Sequence, residues 1–384
     1  MGRTTLFLII SAVTGGALPL AAQSPPRREW IDHLYPYAFY SSIDGFWGGA
    51  HYDWSSPIGF VERPEPNWAR AGIDASASTQ GSYAVVLDAQ APAYWEGWRF
   101  ALTVSGIRAN RLGYYGQGNA AIYSRDSVNS ARPYFYRVSR TTRAGRLTLQ
   151  RRIVGPLRVL VGGTLEHTDF RELPGESWFQ RDRAAGVISP GEVPFNDRVA
   201  RAGIVLDWRD LETDPHRGVF AEALVGRGRS YTRSTAALRV YVHPIERLVL
   251  AARVAGERMT GSPPLAAQQT MESSEGPFVA VGGYHSVRGY HDARFIGPGK
   301  LLSGIEARYG ILGTPRIVEV KITAFYDVGR VFGPGEAVRI TSAGLHSSVG
   351  AGVAFAFLRN TLLVLQAGKG REGAEVTFAT TWSY

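Results

Sequence analysis

Residues 318–330 read VEVKITAFYDVGR, and apolar side chains alternate with polar ones along most of this stretch. Val320 and Tyr326 fall on one side of an extended chain, while Lys321 and Asp327 fall on the other. This period-two alternation predicts a β-strand with one apolar face and one charged face. The pattern decides the fold class, because the chain repeats it from residue 35 to its last residue.

Turn residues divide this region into about 16 predicted strands, an even number, as bacterial single-chain membrane barrels have. The predicted strands are 35–42, 46–55, 68–79, 82–91, 97–108, 140–153, 157–168, 198–208, 218–228, 232–243, 247–258, 300–311, 317–330, 345–357, 361–369 and 374–384. The sequence contains no run of about 18 apolar residues, so it predicts no membrane-spanning helix. A sandwich would not need so many strands in one domain. The fold class predicted is therefore all-β, a transmembrane antiparallel β-barrel.

Composition excludes several kinds of chemistry. The 384 residues contain no Cys, which rules out thiolate catalysis, disulfides and cysteine-ligated metals, and only three of the 42 basic residues are Lys. No His-Glu-x-x-His, Gly-x-Ser-x-Gly or phosphate-loop motif occurs. We therefore predict no catalytic, cofactor-binding or metal-binding residues and no enzymatic activity. The formal charge of +9 is not concentrated in a basic cluster, which disfavours a nucleic-acid partner.

The N-terminus predicts export. Arg3 precedes an apolar stretch at 6–13, and small residues follow as far as Ala22, which is typical of a secretory signal peptide. We predict a signal peptide at 1–22, a short periplasmic lead at 23–34 and an outer-membrane barrel at 35–384. An even strand count places both termini in the periplasm of a Gram-negative-type bacterium. Outer-membrane lipid and lipopolysaccharide are then expected partners of the arginine-rich surface.

Four segments carry a family resemblance. Residues 281–290, VGGYHSVRGY, followed by FIGPG at 295–299, resemble the sixth-loop signature of the BamA/TamA-like outer-membrane assembly and secretion barrels, also called the bacterial surface antigen family. DWRD at 207–210 with PHRG at 215–218 resembles the family's turn motif between its eighth and ninth strands. GIEAR at 304–308 and FYDVG at 325–329 resemble its twelfth and thirteenth strands, and such barrels usually end on an aromatic residue like Tyr384.

The resemblance implies a specific lock. In the family, the sixth loop folds into the lumen and its arginine meets acids on the twelfth and thirteenth strands, which would be Arg288, Glu306 and Asp327 here. The alternation independently places both acids on inward faces, whereas the alternative for an Arg-Gly-Tyr sequence is a solvated loop tip. The site residues predicted in this way are Arg288, Gly289, Tyr290, Glu306 and Asp327 for the lock, and Asp207, Arg209, Asp210, Pro215 and Gly218 for the turn motif.

Three functions remain open at this stage. The resemblance favours a pore that assembles or translocates unfolded or exported proteins. The first predicted strand starts about 12 residues after the predicted cleavage site, so the periplasmic polypeptide-transport-associated domains of the family are not expected between them. A diffusion channel with an anion-favouring lumen is the second, since Arg158, Arg201, Arg239 and Arg253 are predicted to face inward. The third is a structural or surface barrel that acts through its loops or through a separate periplasmic partner.

Overall fold

The computed structural model describes residues 28–41, 43–59, 63–314, 317–358 and 361–384. The predicted signal peptide, 1–22, and residues 23–27 of the predicted lead lie outside the described residues.

One large antiparallel sheet of 16 strands dominates this part of the chain, and each strand except the last pairs with the strand that follows it in the sheet. The strands are β1 (Ile31–Ser41), β2 (Gly45–Pro57), β3 (Asn67–Ser78), β4 (Tyr83–Ala91), β5 (Trp98–Gly113), β6 (Arg137–Val154), β7 (Leu157–Arg171), β8 (Phe195–Arg209), β9 (Gly218–Arg227), β10 (Tyr231–Ile245), β11 (Leu248–Gly261), β12 (Gly299–Thr314), β13 (Val318–Phe332), β14 (His346–Phe357), β15 (Thr361–Gly370) and β16 (Gly373–Ala379).

The all-β barrel architecture predicted from the sequence is confirmed, and every predicted strand overlaps one observed strand in the same order. Strand boundaries differ from the predicted ones by up to five residues, as at β5, which ends at Gly113 instead of residue 108. β1 begins at Ile31 instead of residue 35, and the prediction that the last strand continues to residue 384 is wrong. β16 ends at Ala379, and residues 380–384, which we call the C-terminal segment, leave the sheet, with Trp382, Ser383 and Tyr384 buried against its polar face.

Burial in the sheet is the reverse of burial in a water-soluble protein. In β13 the side chains of Ile322 and Tyr326 are 46% and 44% exposed, whereas Lys321 and Asp327 on the opposite face are 2% and 0% exposed. Apolar residues therefore cover the outer face and charged residues the inner one, as expected where lipid replaces water around a barrel. No helix among the described residues is long and apolar enough to cross a membrane.

Long connections lie mainly at one end of the barrel. Each of the connections at 114–136, 172–194, 262–298 and 333–345 joins an odd-numbered strand to the following even-numbered strand. They therefore lie at the same end of the barrel, which we call the long-loop end. Two short helices belong to these connections, α1 (Trp178–Ala184) and α2 (Leu265–Gln268). The opposite, short-turn end carries tight turns such as 155–156 and 246–247, with longer ones at 58–66 and 210–217.

Candidate functional site

The sixth loop, residues 262–298, folds back from the long-loop end against the polar face of the sheet. Val281, Val287 and Phe295 of this loop form an apolar cluster with Leu302 of β12 and Val331 of β13. Gly282 and Gly283 both have positive φ, at 112° and 94°, a conformation that side-chain-bearing residues rarely adopt. The loop is therefore part of the packed interior and not a solvated extension.

Arg288 lies at the centre of this interior. Its Nε and Nη2 donate to the two carboxylate oxygens of Asp327 at 2.7 and 2.9 Å, and its Nη1 donates to Glu306. The side chains of all three residues are fully buried. The planar guanidinium can satisfy two carboxylates at once because its donors are arranged as a rigid fork.

A further arginine and a glutamine complete the network around this ion pair. Arg308 Nε donates to the second oxygen of Glu306 at 2.7 Å, so two guanidinium groups face two carboxylates and the buried charges balance. Gln366 Oε1 accepts from Arg288 Nη1 at 3.1 Å, and its amide nitrogen donates to Thr323. Charge balance and satisfied hydrogen bonds are what make burial of such groups tolerable.

The loop backbone approaches β15 very closely on either side of Arg288. A Cβ atom at Gly368 would lie 2.7 Å from the carbonyl carbon of Arg288, and one at Gly289 would collide with the backbone of Gly370. The Tyr290 ring is buried, and its hydroxyl accepts from the backbone nitrogen of Arg371 at 3.3 Å. The glycines thus allow the loop to lie directly against the strand.

The turn motif forms a second cluster at the short-turn end. Arg209 donates from Nε and Nη2 to Asp207 at 2.8 and 3.0 Å, and the Asp210 carboxylate accepts three backbone N–H groups of the turn. Pro215 is buried, and Gly218 has a φ of 117° that lets the chain enter β9. These contacts give the acids, the arginine and the glycine of the motif a structural role in the turn.

Glu275 of the sixth loop joins the two predicted groups of residues. It accepts from Arg209 Nη2 at 2.7 Å and from Arg239 Nη1 at 2.5 Å. No motif in the sequence pointed to Glu275. The contact links the turn between β8 and β9 to the same loop that carries Arg288.

Three of the four inward arginines that supported an anion channel are paired with carboxylates. Arg158 lies 3.5 Å from Asp207, Arg201 lies 3.1 Å from Glu272, and Arg239 pairs with Glu275. Arg253 donates instead to three carbonyl oxygens, those of His285 and Ser286 at 2.7 Å and that of Ser383 at 3.4 Å. Arg201, Arg239 and Arg253 thus hold the sixth loop, and Arg253 also contacts the C-terminal segment.

The C-terminal segment, residues 380–384, closes the site from the short-turn end. Trp382 Nε1 donates to Asp214 Oδ1 at 2.8 Å, while Tyr284 Oη donates to the carbonyl of Thr381 at 2.6 Å. The Arg308 guanidinium stacks over the Trp382 ring at 3.8 Å. The segment therefore contacts the sixth loop and the turn motif together, which the sequence prediction of a continuous strand did not anticipate.

A cluster of possible metal ligands beside this segment already contains a cation. Asp214, His216 and Glu319 converge, and Lys321 Nζ lies 2.5 Å from Asp214 and 3.3 Å from Glu319. Burial would raise the pKa of Asp214, but its contacts with His216 and Lys321 outweigh burial and hold that pKa well below its usual range. The ammonium group supplies the positive charge that a metal ion would otherwise bring.

The reversed burial of the sheet defines the chain as an outer-membrane β-barrel protein. Residues 70–357 match the Omp85 superfamily domain, and the chain belongs to this superfamily. Barrels of the superfamily are non-enzymatic transporters, so the chain is not an enzyme. No curated protein matches the chain.

Solved structures of three proteins have the same fold. BamA from Haemophilus ducreyi lacking POTRA domains 1-3 is 13% identical with a TM-score of 0.55, over 92% of this chain and 69% of that chain. CdiB from Escherichia coli is 10% identical with a TM-score of 0.57, over 98% and 67%. CdiB from Acinetobacter baumannii is 12% identical with a TM-score of 0.51, over 97% and 65%. At these identities the likeness concerns the fold alone.

Proposed function

We propose that the chain is an outer-membrane barrel that assembles or translocates unfolded protein chains at the seam between β1 and β16. The observation that carries the proposal is the position of these strands at the two ends of the sheet, where neither has a second hydrogen-bonded neighbour among the described residues. β16 has only seven residues, so a seam with β1 contains fewer hydrogen bonds than the pairing of β1 with β2, which joins 11 residue pairs. A strand edge of this kind can pair with an incoming chain.

The sixth loop has the role of a lock in this proposal. It occupies the lumen and is held by Arg288, Glu306 and Asp327, while the turn motif and the C-terminal segment brace it at the short-turn end. A filled lumen directs a client chain to the seam instead of through an open central pore. The ion pairs of Arg158, Arg201 and Arg239 also disfavour the diffusion channel.

The partners follow from this role. Substrates are unfolded outer-membrane or exported proteins, and a separate periplasmic partner delivers them. Outer-membrane lipid surrounds the apolar outer face, and lipopolysaccharide surrounds it on the side of the long loops. Both termini lie on the periplasmic side.

A cysteine placed at the seam should capture a client strand. Because the protein has no cysteine, a single one at Ala38 of β1 gives an unambiguous probe. In proteoliposomes, this variant should form a disulfide with an unfolded β-barrel protein that carries one cysteine in its last strand. The same cysteine at Val225, exposed on β9 within the paired wall, is the matched control. Equal disulfide yields at both positions would exclude the seam as the working site.

Labelling of intact cells tests the orientation. A cysteine at Asn129, exposed in the connection between β5 and β6, should react with a membrane-impermeant maleimide added outside the cell. A cysteine at Glu246, exposed in the turn between β10 and β11, should react only after the outer membrane is opened. The reverse pattern would place the long loops in the periplasm and contradict the assignment of the termini.

A further inference from the structure

A cavity of about 490 Å³ lies at the long-loop end, outside the network around Arg288. Its walls come from the connection between β5 and β6, from the sixth loop, from the start of β14 and from the turn between β15 and β16. The volume is in the range that holds one or two sugar-sized groups, and four separate parts of the chain converge on it. Nothing in the proposed protein-assembly function uses this cavity.

Two arginines of the lining carry charges that the protein does not neutralise. Arg125 and Arg371 have no carboxylate within ion-pair distance among the described residues, and Arg125 Nη2 donates only to the carbonyl of Glu372 at 3.3 Å. The carboxylate of Glu372 is already engaged by Arg294, which donates to both of its oxygens at 2.7 and 2.8 Å. The cavity thus has an excess of positive charge and presents free guanidinium donors.

Much of the remaining lining is aromatic or carries hydrogen-bonding groups. Tyr123 contributes a half-buried ring, while Tyr290 and Phe295 are buried and form the floor, where Phe295 stacks on the His346 imidazole with 3.6 Å between ring centroids. His346 Nε2 donates to the carbonyl of Asn119 at 3.0 Å, so in the neutral ring Nδ1 remains an acceptor. Guanidinium groups recognise phosphate or carboxylate, aromatic rings contact the C–H faces of a sugar, and an imidazole nitrogen accepts from a hydroxyl.

We propose that this cavity binds an anionic sugar unit, with Arg125 and Arg371 on its phosphate or carboxylate group and the Tyr123 ring against its pyranose face. Two sources share this chemistry, a phosphorylated sugar in the head of lipopolysaccharide and a free phosphosugar. A bound sugar contacts Tyr123 of the β5–β6 connection and Arg371 of the β15–β16 turn at once, and it lies on the floor that Tyr290 and Phe295 of the sixth loop form. It therefore also stabilises the docked loop, because a ligand favours the conformation that binds it.

Titration calorimetry with the purified barrel in detergent tests the site, with glucosamine 6-phosphate, inorganic phosphate and unphosphorylated glucosamine as probes. Glucosamine 6-phosphate should bind at least about tenfold more tightly than either of the other two probes. Inorganic phosphate lacks the sugar ring, and unphosphorylated glucosamine lacks the phosphate that the arginines contact. The double variant Arg125→Gln/Arg371→Gln should bind it at least about tenfold more weakly, because both charge-assisted contacts are lost. Arg171→Gln removes an exposed arginine at the same end of the barrel and should leave the affinity unchanged.

Vesicles distinguish the two sources. If the barrel associates more tightly with lipopolysaccharide vesicles than with vesicles of dephosphorylated lipopolysaccharide, and the double variant loses this difference, the ligand is the lipid-borne sugar. If the barrel associates equally with both kinds of vesicle but binds glucosamine 6-phosphate tightly, the ligand is the free phosphosugar. The proposal is overturned if neither glucosamine 6-phosphate nor lipopolysaccharide binds. It is also overturned if inorganic phosphate binds as tightly as glucosamine 6-phosphate, or if the double variant retains full affinity for glucosamine 6-phosphate. Unchanged heat-modifiable mobility of the variants shows that they are folded.

Discussion

Replacing Arg288 with alanine should release the sixth loop from the barrel interior. Asp327 then loses its ion-pair partner, whereas Glu306 retains Arg308. Breaking a buried ion pair from one side typically costs about 3–5 kcal/mol, because the remaining charge stays buried without compensation. Limited proteolysis should cut the loop much faster in the variant, and planar-bilayer conductance should rise from small, flickering currents to larger ones. Large, steady currents from the unmodified protein would instead favour the diffusion channel.

Three controls separate the lock from a general loss of stability. Arg288→Lys should rescue loop protection only in part, because an ammonium group cannot engage two carboxylates as a fork. Asp327→Asn combined with Arg288→Ala should cost less than the sum of the single changes, since neighbours in one network are not additive. Arg181→Ala removes an exposed arginine that pairs with Glu176 and should not affect the loop. A strictly additive cycle with unchanged proteolysis would refute the lock.

Replacing Glu257 with alanine should destabilise the whole barrel. Its carboxylate is fully buried in β11 and accepts from Lys300 at 2.8 Å, from Arg233 at 2.7 Å and from the backbone nitrogen of Glu272 at 2.9 Å. Removing it leaves two buried cations, and within the described part of the chain the only other carboxylate near them is that of Glu272, 3.7 Å from Arg233. We expect a loss of about 3–5 kcal/mol in the free energy of unfolding, measured by urea titration in detergent micelles.

The matched control for this prediction is Glu96→Ala. The Glu96 side chain is 94% exposed and lies 3.5 Å from Arg152, so its removal should change the free energy of unfolding by no more than about 1 kcal/mol. Glu257→Gln keeps the shape and part of the hydrogen bonding and should fall between the two. Equal stability of the alanine variants at positions 257 and 96 would mean that the buried cations find other compensation.

Local periodicity accounts for most of the fold that the sequence predicted. The alternation in β13 predicted both the strand and the face of each residue, because successive side chains in an extended chain point to opposite sides. The same rule failed at the C-terminus. Trp382 and Tyr384 continue the alternation, yet both are buried, because Asp214, Arg308 and Arg253 offer them partners inside the barrel.

The site was predicted only where a motif resembled a known family. Arg288, Glu306 and Asp327 were named from the sequence and lie together in the structure. Gln366 and Glu275 were missed. Gln366 meets Arg288 from 78 positions away and Glu275 meets Arg209 from 66, and no local pattern marks either residue.

The sequence by itself therefore determined the strands, their apolar and charged faces and the residues of the two motifs, because these depend on spacing over a few residues. The tertiary structure decided which inward charges meet, how the sixth loop and the C-terminal segment fill the interior, and where an unneutralised pair of arginines faces a cavity. Those outcomes depend on distances between residues far apart in the chain, and these distances exist only once the sheet has brought its strands and loops together.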